Sequence, residues 1–254
     1  MVYVIRSDIK RAVSSKGFLL AITTAVLMIL LSSLNEIIEI SRSTGPLPYG
    51  YHARLIISAL SSDTMTLTVP IICTLPYTTA YIDDIKSGFI KEYLPRSGIN
   101  RYIKGKLMAC GLSGGLVLFL GILSAYSISA LVFMPMELAS YAGKAAEPHF
   151  AVIFTKALML FFSGMFWSIL GFTLAALTMN RYMAYASPFI FYYVLIIIHE
   201  RYFKELYVLY PKEWMSPSKD WVLGEFGVIL FLLELTAIVC LWFATSAKRT
   251  LANV

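Results

Sequence analysis

Apolar residues gather along this chain into six long, almost uncharged stretches, at approximately 17–35, 55–82, 107–134, 157–179, 182–198 and 222–245. A helix rises about 1.5 Å per residue, so some twenty such residues cross a hydrocarbon layer of about 30 Å. The fifth stretch is short. The pattern predicts an all-α membrane protein with six transmembrane helices. The polar intervals differ in kind. Over residues 83–106, DDIKSGFIKEYLPRSGINRYIKGK, the residues Ile82, Ile85, Phe89 and Tyr93 share one helical face. LPRSG, Leu94 to Gly98, then reads as a turn, after which Ile99, Tyr102, Ile103 and Lys106 resume an apolar stripe. Pro95 disfavours a helical Leu94, Gly98 permits a left-handed backbone, and Ser97 suits the cap of a second helix. The interval is therefore expected to fold as a helix, turn, helix elbow.

Two other intervals carry a pattern of their own. Among the first sixteen residues, Val2, Ile5, Ile9, Ala12 and Val13 recur at three and four residue steps, with Arg6, Lys10, Arg11 and Ser14 on other faces. This suits an amphipathic helix on a membrane surface, or a basic flank that simply orients the first span. Residues 199–220 hold Tyr202, Phe203, Tyr207, Tyr210 and Trp214 among charged residues, and Pro211 and Pro217 interrupt them. Amphipathic aromatics prefer the headgroup level, so a helix or re-entrant hairpin at the interface is one reading and an ordered loop the other.

Composition agrees with the pattern: 58% of residues are hydrophobic, 14% are charged, and the mean hydropathy is +0.73. A soluble chain of this size needs a more polar surface. No linker or second polar block divides it, so residues 1–254 read as one transmembrane domain. The net charge of +6 is expected to serve topology and anionic lipid, with no nucleic acid as partner. With the N-terminus inside, Arg6, Lys10, Arg11, Lys16, the six basic residues of 83–106, Arg181, Lys248 and Arg249 make thirteen cytoplasmic positive charges. The other side receives eight, namely Arg42, Arg54, Lys144, Lys156, Arg201, Lys204, Lys212 and Lys219. Both termini are thus expected in the cytoplasm. The first stretch is longer than a signal-peptide core and LSSLNE is a poor cleavage site, so a retained span is expected. Cys73, Cys110 and Cys240 all lie in apolar stretches, which predicts buried thiols and neither a disulfide nor a zinc site.

Candidate chemistry is sparse. His199-Glu200 begins a zinc-protease pattern that fails at Phe203, His52 and His149 sit in separate outer loops without ligand spacing, and no G-x-S-x-G elbow occurs. No catalytic, cofactor-binding or metal-binding residue is expected. Asp63, near the start of the second stretch, and Glu234, within the sixth, are the intramembrane polar candidates. Each reads either as part of a polar lining or proton relay, or as a hydrogen-bonded carboxyl joining helices. A proton-coupled secondary transporter using Glu234 is the alternative function on this basis. Pro70 and Pro76 are expected to loosen the second span, with Thr74 able to satisfy a freed carbonyl. Gly111, Gly114 and Gly115 permit close helix approach, within the chain or at a dimer seam.

The opening IRSDIKRAVSSKGFLLAI, the proline-bearing second stretch and the segment D-x-K-S-G-F-I-K-E-Y-L-P-R-S-G-I-N-R-Y-I-x-G-K resemble the permease subunits of type 2 ATP-binding-cassette (ABC) exporters. The positions that carry the resemblance are Lys86, Ser87, Gly88, Tyr93, Leu94, Pro95, Gly105 and Lys106. The resemblance implies that residues 83–106 are a cytoplasmic coupling elbow, with Asp84, Lys86, Ser87, Gly88, Phe89, Glu92, Tyr93, Leu94, Pro95 and Arg96 meeting an ATPase. It places an amphipathic helix at 1–16 and an outer re-entrant or interfacial segment at 199–220. The chain has no G-x-x-x-x-G-K-[ST] loop, so ATP and Mg would be held by a separate soluble ABC ATPase. A second permease copy or a related permease completes the expected assembly in the plasma membrane. Amphipathic or hydrophobic cargo is implied: an antimicrobial or cytolytic peptide, a lantibiotic or a lipid-like drug.

Overall fold

The computed structural model describes residues 2–42, 45, 47–137, 149–217 and 221–251. Among them are eleven α-helices: α1 (Val2–Val13), α2 (Lys16–Ser32), α3 (Leu34–Arg42), α4 (Tyr51–Leu60), α5 (Asp63–Ile72), α6 (Ala80–Lys86), α7 (Phe89–Ser97), α8 (Ile99–Phe133), α9 (His149–Thr178), α10 (Arg181–Arg201) and α11 (Glu225–Leu251). Helices α8 to α11 are each long and apolar enough to cross a membrane. Two bent pairs, α1 with α2 and α4 with α5, raise the number to as many as six if each is one span. An all-α chain with four to six candidate transmembrane helices is the result.

The second predicted span differs in shape from the expectation. The stretch 55–82 is not one helix: α4 and α5 meet at 68°. Two serines cause the bend, and neither proline does. The Ser61 amide closes α4 on the carbonyls of Ile57 and Ser58, whereas Ser62 is extended and its hydroxyl accepts the Met65 amide to start α5. A short hydroxyl that bonds locally competes with helix continuation. Pro70 is accommodated inside α5, and residues around Pro76 form successive turns in which Thr74 Oγ1 does donate to the Ile71 carbonyl at 2.6 Å. Ser15 divides α1 from α2, which meet at 52°. Its hydroxyl accepts from the Phe18 amide at 3.0 Å and donates to the Pro76 carbonyl at 3.3 Å.

Packing is organised around α9, which runs against α8, α10 and α11. In its most apolar window 72% of residues are buried, against about a third in α8, α10 and α11, so α9 is the central helix. The faces turned outward remain apolar, as Leu20 and Leu27 on α2, Ile190 and Val194 on α10, and Ile238 and Leu241 on α11 show. Such a surface is stable in hydrocarbon and poorly suited to water. The glycines of α8 serve contacts inside the chain. A Cβ on Gly114 would collide with Ser168 Cβ and lie 2.9 Å from the Cys73 carbonyl oxygen, and one on Gly164 would lie 2.8 Å from the Gly114 carbonyl oxygen. Here α8 and α9 approach backbone to backbone. Cys73 and Cys110 are buried, Cys240 is half-buried, and all three are free.

At the end of the bundle away from α6 and α7, residues 202–217 form turns around a short 3-10 helix, Tyr207–Leu209. Trp214 is buried there, with its indole N–H donating to the Val208 carbonyl at 2.8 Å and its rings against Phe166, Trp167 and Phe231. Residues 218–220 lie outside the described residues, so of the expected 199–220 segment the structure shows the end of α10 to Arg201 and the ordered turns of 202–217.

Candidate functional site

The elbow is built differently from its predicted form. An additional break falls at Ser87-Gly88, where Gly88 has φ +75° and divides the expected first helix into α6 and α7; α7 then runs through Pro95 to Ser97, and the expected break follows at Gly98. Pro95 lies in the last turn of α7, where it has no amide to give the Lys91 carbonyl. Gly98, at φ +76°, is the single residue between α7 and α8. Ser97 does not cap α8; its hydroxyl bonds back to the Tyr93 carbonyl at 3.0 Å. The second elbow helix and the third span are one continuous helix of 35 residues. A displacement of α7 therefore acts directly on the foot of α8.

Behind the elbow lies a buried ionic centre. Lys106, on α8, is 1% exposed. Its Nζ sits 2.9 Å from Asp8 Oδ1 on α1, 2.7 Å from Asp84 Oδ2 on α6 and 2.9 Å from the Tyr77 hydroxyl. Tyr77 donates to Asp8 Oδ1 at 2.8 Å, Tyr102 donates to Asp84 Oδ2 at 3.1 Å, and Arg11 Nη1 meets Asp84 Oδ1 at 2.9 Å. The two carboxylates face two cations, so the centre is electrically balanced. Its ammonium also lies 5.1 Å and 5.4 Å from the ring centres of Tyr77 and Tyr102. Removing these charges from water is costly; hydrogen bonds from Tyr77 and Tyr102 offset part of that cost, while the buried Asp8 Oδ2 has no hydrogen-bond partner among the described residues. Four segments converge here: α1, the turns before α6, α6 itself and α8. A second tie, Arg181 Nη2 to Asp83 Oδ1 at 2.6 Å, joins α6 to the start of α10 beside a cleft of about 530 Å³ that includes Thr79, Lys86 and Tyr185.

The sequence-derived elbow residues divide by this geometry. Asp84 is buried and belongs to the frame; Gly88, Tyr93 and Leu94 are half-buried. Lys86, Ser87, Phe89, Glu92, Pro95 and Arg96 are exposed, and Phe89 stacks on Tyr93 at 4.9 Å between ring centres. Between α7 and the start of α8 lies an apolar hollow of about 420 Å³, lined by Ile90, Leu94, Pro95, Gly98 and Ile99 with Lys91 beside it. The outer surface thus combines basic side chains with an apolar recess. Sequence reasoning gave no role to Asp8 or Tyr77, and placed Tyr102 and Lys106 on an apolar stripe without joining them to Asp8 or Asp84. A lysine on the apolar stripe Ile99, Tyr102, Ile103, Lys106 was the available signal.

Neither intramembrane carboxylate lies in an interior polar lining. Asp63 is 79% exposed at its side chain and pairs with Lys212 of the 202–217 hairpin at 2.6 Å. It caps the hairpin end of the bundle. Glu234 stands on the exposed face of α11 and makes no ion pair among the described residues. A charged group near a helix centre in hydrocarbon costs about 2.5–3.5 kcal/mol or more.

At the end away from the elbow, the structure brings together residues that their spacing did not connect. Glu137 accepts the amides of Gly50 and His52 at 2.9 and 2.8 Å and lies 2.7 Å from His52 Nδ1. Tyr126 is 3.3 Å from His52 Nε2, and the His149 ring lies 6.1 Å from that of His52. No group of three or more His, Cys, Asp or Glu among the described residues could hold a metal. Burial by itself would raise Glu137, but the two amides and the His52 ring bind its charged form and hold it below the ordinary carboxylate range. A depressed folded value means that the stability it supplies is present above the unfolded carboxylate value of about 4.3 and is lost as pH falls through the folded one. The melting temperature is expected to drop below about pH 4, and Glu137→Gln to flatten part of that drop. An identical acid profile in the variant would assign the loss elsewhere.

No protein-family model matches the chain, and no curated protein matches it at a significant level.

Proposed function

We propose that this chain is the permease subunit of an ATP-driven ABC exporter of type 2, moving an amphipathic or hydrophobic substrate out of the cell with a separate soluble ATPase. The observation that carries the reading is the elbow frame: Asp84 of α6 and Asp8 of α1 are both held by Lys106 of α8. A push on the exposed face of α6 and α7 is thereby delivered to the feet of two candidate spans at once, α8 directly and α2 through α1. That is the mechanical requirement for driving membrane helices with an external motor. The exposed residues Lys86, Phe89, Lys91, Glu92 and Arg96 with the apolar hollow form the motor contact. The frame residues transmit the motion. ATP and Mg belong to the partner, a second permease copy or a related permease completes the pathway, and both termini are cytoplasmic in the plasma membrane. Binding and movement, with no covalent chemistry, are this subunit's work. Glu234 faces outward from the bundle, which gives the proton-coupled reading no internal relay.

The test must spare the frame, because deleting the elbow would also remove Asp84 and strand Lys106. The triple change Phe89→Ala, Lys91→Glu and Arg96→Glu alters exposed side chains only. It is expected to reduce copurification with the native ATPase at least about tenfold, because a side chain desolvated at an interface contributes about 1.4 kcal/mol or more to binding. The melting temperature of the subunit should stay unchanged. An unaltered complex would sink the coupling role. Orientation is tested separately in a cysteine-free background. Glu92→Cys should be shielded from an impermeant thiol reagent added outside intact cells, and Tyr202→Cys should react. The reverse pattern would remove the ATPase from reach.

A further inference from the structure

The cleft of about 530 Å³ between α6 and the start of α10 is separate from the ionic centre and from the apolar hollow of the elbow. Thr79, Asp83 and Lys86 line it on the α6 side, and Arg181, Tyr182 and Tyr185 line it on α10. The carboxylate in this lining is already engaged. Asp83 Oδ1 meets Arg181 Nη2 at 2.6 Å, and Asp83 Oδ2 accepts the Thr79 hydroxyl at 3.0 Å. The donors are not used up. Lys86 is exposed and has no ion-pair partner among the described residues, and the guanidinium of Arg181 carries more N–H groups than Asp83 can accept. The hydroxyls of Tyr182 and Tyr185 make no hydrogen bond among the described residues. Asn180 Oδ1 accepts the Tyr182 amide at 3.0 Å, so the first turn of α10 is capped from within the chain and the surplus lies in side chains. Lys86 and Arg181 against Asp83 leave one net positive charge. The complement of such a lining is a small anion rich in acceptor oxygens.

The depth of the cleft says where that anion comes from. Helix α10 is a candidate span, and its 21 residues rise about 31 Å, the thickness of a hydrocarbon layer. Arg181, its first residue, therefore stands at headgroup level. Tyr182 beside it is 81% exposed, as suits an aromatic at the membrane interface. Further along α10, Phe189 and Tyr193 follow Tyr182 and Tyr185 at three and four residue steps, which puts all four on one face. The rings of Phe189 and Tyr193 lie 4.9 Å apart. An apolar track thus leads from the charged cleft into the hydrocarbon.

We infer that this cleft binds the phosphodiester of an anionic phospholipid, with Lys86 and Arg181 on the phosphate oxygens, the tyrosine hydroxyls beside them and an acyl chain along Phe189 and Tyr193. Basic pockets beside spans at headgroup level are suited to anionic lipid. The single negative charge of such a lipid matches the one net positive charge of the lining. A zwitterionic lipid brings an ammonium toward the same two cations, and free phosphate brings the oxygens without a tail for the track. The bound lipid would bridge α6 and α10 where the Arg181 to Asp83 pair already joins them. The site stands on the spanning helices alone and does not need the exporter reading.

The experiment uses the full chain, freed of lipid in a neutral detergent, with dioctanoyl phosphatidylglycerol, dioctanoyl phosphatidylcholine and inorganic phosphate as probes. Native mass spectrometry counts lipid on the folded chain, and the melting temperature is followed over the same titration. Phosphatidylglycerol is expected to bind saturably at one molecule per chain and to raise the melting temperature. Phosphatidylcholine should need at least about fivefold more for the same effect. Lys86→Gln should weaken phosphatidylglycerol binding at least about fivefold, while Lys86→Arg, which keeps the charge, and Lys248→Gln, at the same end of the bundle on α11, should stay within about twofold of the parent. Without lipid, Lys86→Gln should melt with the parent, since the side chain is exposed and has no ion-pair partner among the described residues. Equal binding of the two lipids would overturn the site, as would a Lys86→Gln titration no different from that of Lys248→Gln. Inorganic phosphate that matched phosphatidylglycerol at equal concentration would overturn the lipid assignment. Because no ATPase is present, failure here leaves the exporter reading to its own copurification test.

Discussion

Replacing Lys106 with Met is expected to destabilise the chain by about 3–5 kcal/mol, the cost of stranding buried charges when one partner of a buried pair is removed. Asp8 and Asp84 both sit within 2.9 Å of the Lys106 ammonium, so without it two carboxylates confront each other in a site with almost no solvent. Arg11 does not compensate. Its side chain is 52% exposed and reaches only Asp84, and an exposed arm holds a buried charge weakly. The contrast is the Lys212 to Asp63 pair, equally short but largely exposed, whose removal should cost about 0–1 kcal/mol. Reversible unfolding in mixed micelles measures both. A loss below about 1 kcal/mol in Lys106→Met would show that the centre is not what holds α1 and α6 to α8. The combined change Asp8→Asn, Asp84→Asn and Lys106→Met should recover part of the loss, because neutral groups of similar shape leave no uncompensated charge.

The second large effect is expected at the opposite end. Trp214→Ala removes an indole that is 1% exposed, hydrogen-bonded to the Val208 carbonyl and wedged among Phe166, Trp167 and Phe231. Truncating a buried Trp costs about 3–5 kcal/mol, from lost transfer energy and the cavity left behind. The loss should be local. Residues 202–217 should become sensitive to protease while the elbow retains its protection, because Trp214 pins the hairpin to α9 and α11. Trp214→Phe should recover part of the stability without the hydrogen bond. Uniform loss of protection at both ends would show instead that the hairpin and bundle unfold as one unit.

The mechanical reading joins these two ends through α8 and α9. Helix α8 starts at the elbow and ends three residues short of Glu137, which binds the start of α4 through the Gly50 and His52 amides. A single 35-residue helix thus runs from the elbow at one end to the opposite end of the bundle. Its glycines allow α9 to lie against it backbone to backbone, so the two helices form a closely packed core.

Hydropathy alone was sufficient for the all-helical class, for the last four long helices and for the existence of an elbow, because these depend on the period and sign of the residues along one segment. It placed the elbow turn at LPRSG, where the chain does break at Gly98 although α7 runs through Pro95, and it missed the further break at Ser87-Gly88 that divides the expected first elbow helix into α6 and α7. It treated 55–82 as one span, since a serine pair inside an apolar run leaves the average hydropathy high while its hydroxyls end one helix and cap the next. What only the tertiary structure decided is which polar groups meet. Asp8, Asp84 and Lys106 are separated by up to 98 residues, and Glu137 and His52 by 85. No local pattern records such distances. Glu234 could be located in the sixth span from the sequence, but its direction depends on which side of α11 the core occupies. That is set by packing against α9, and it turns the carboxyl outward.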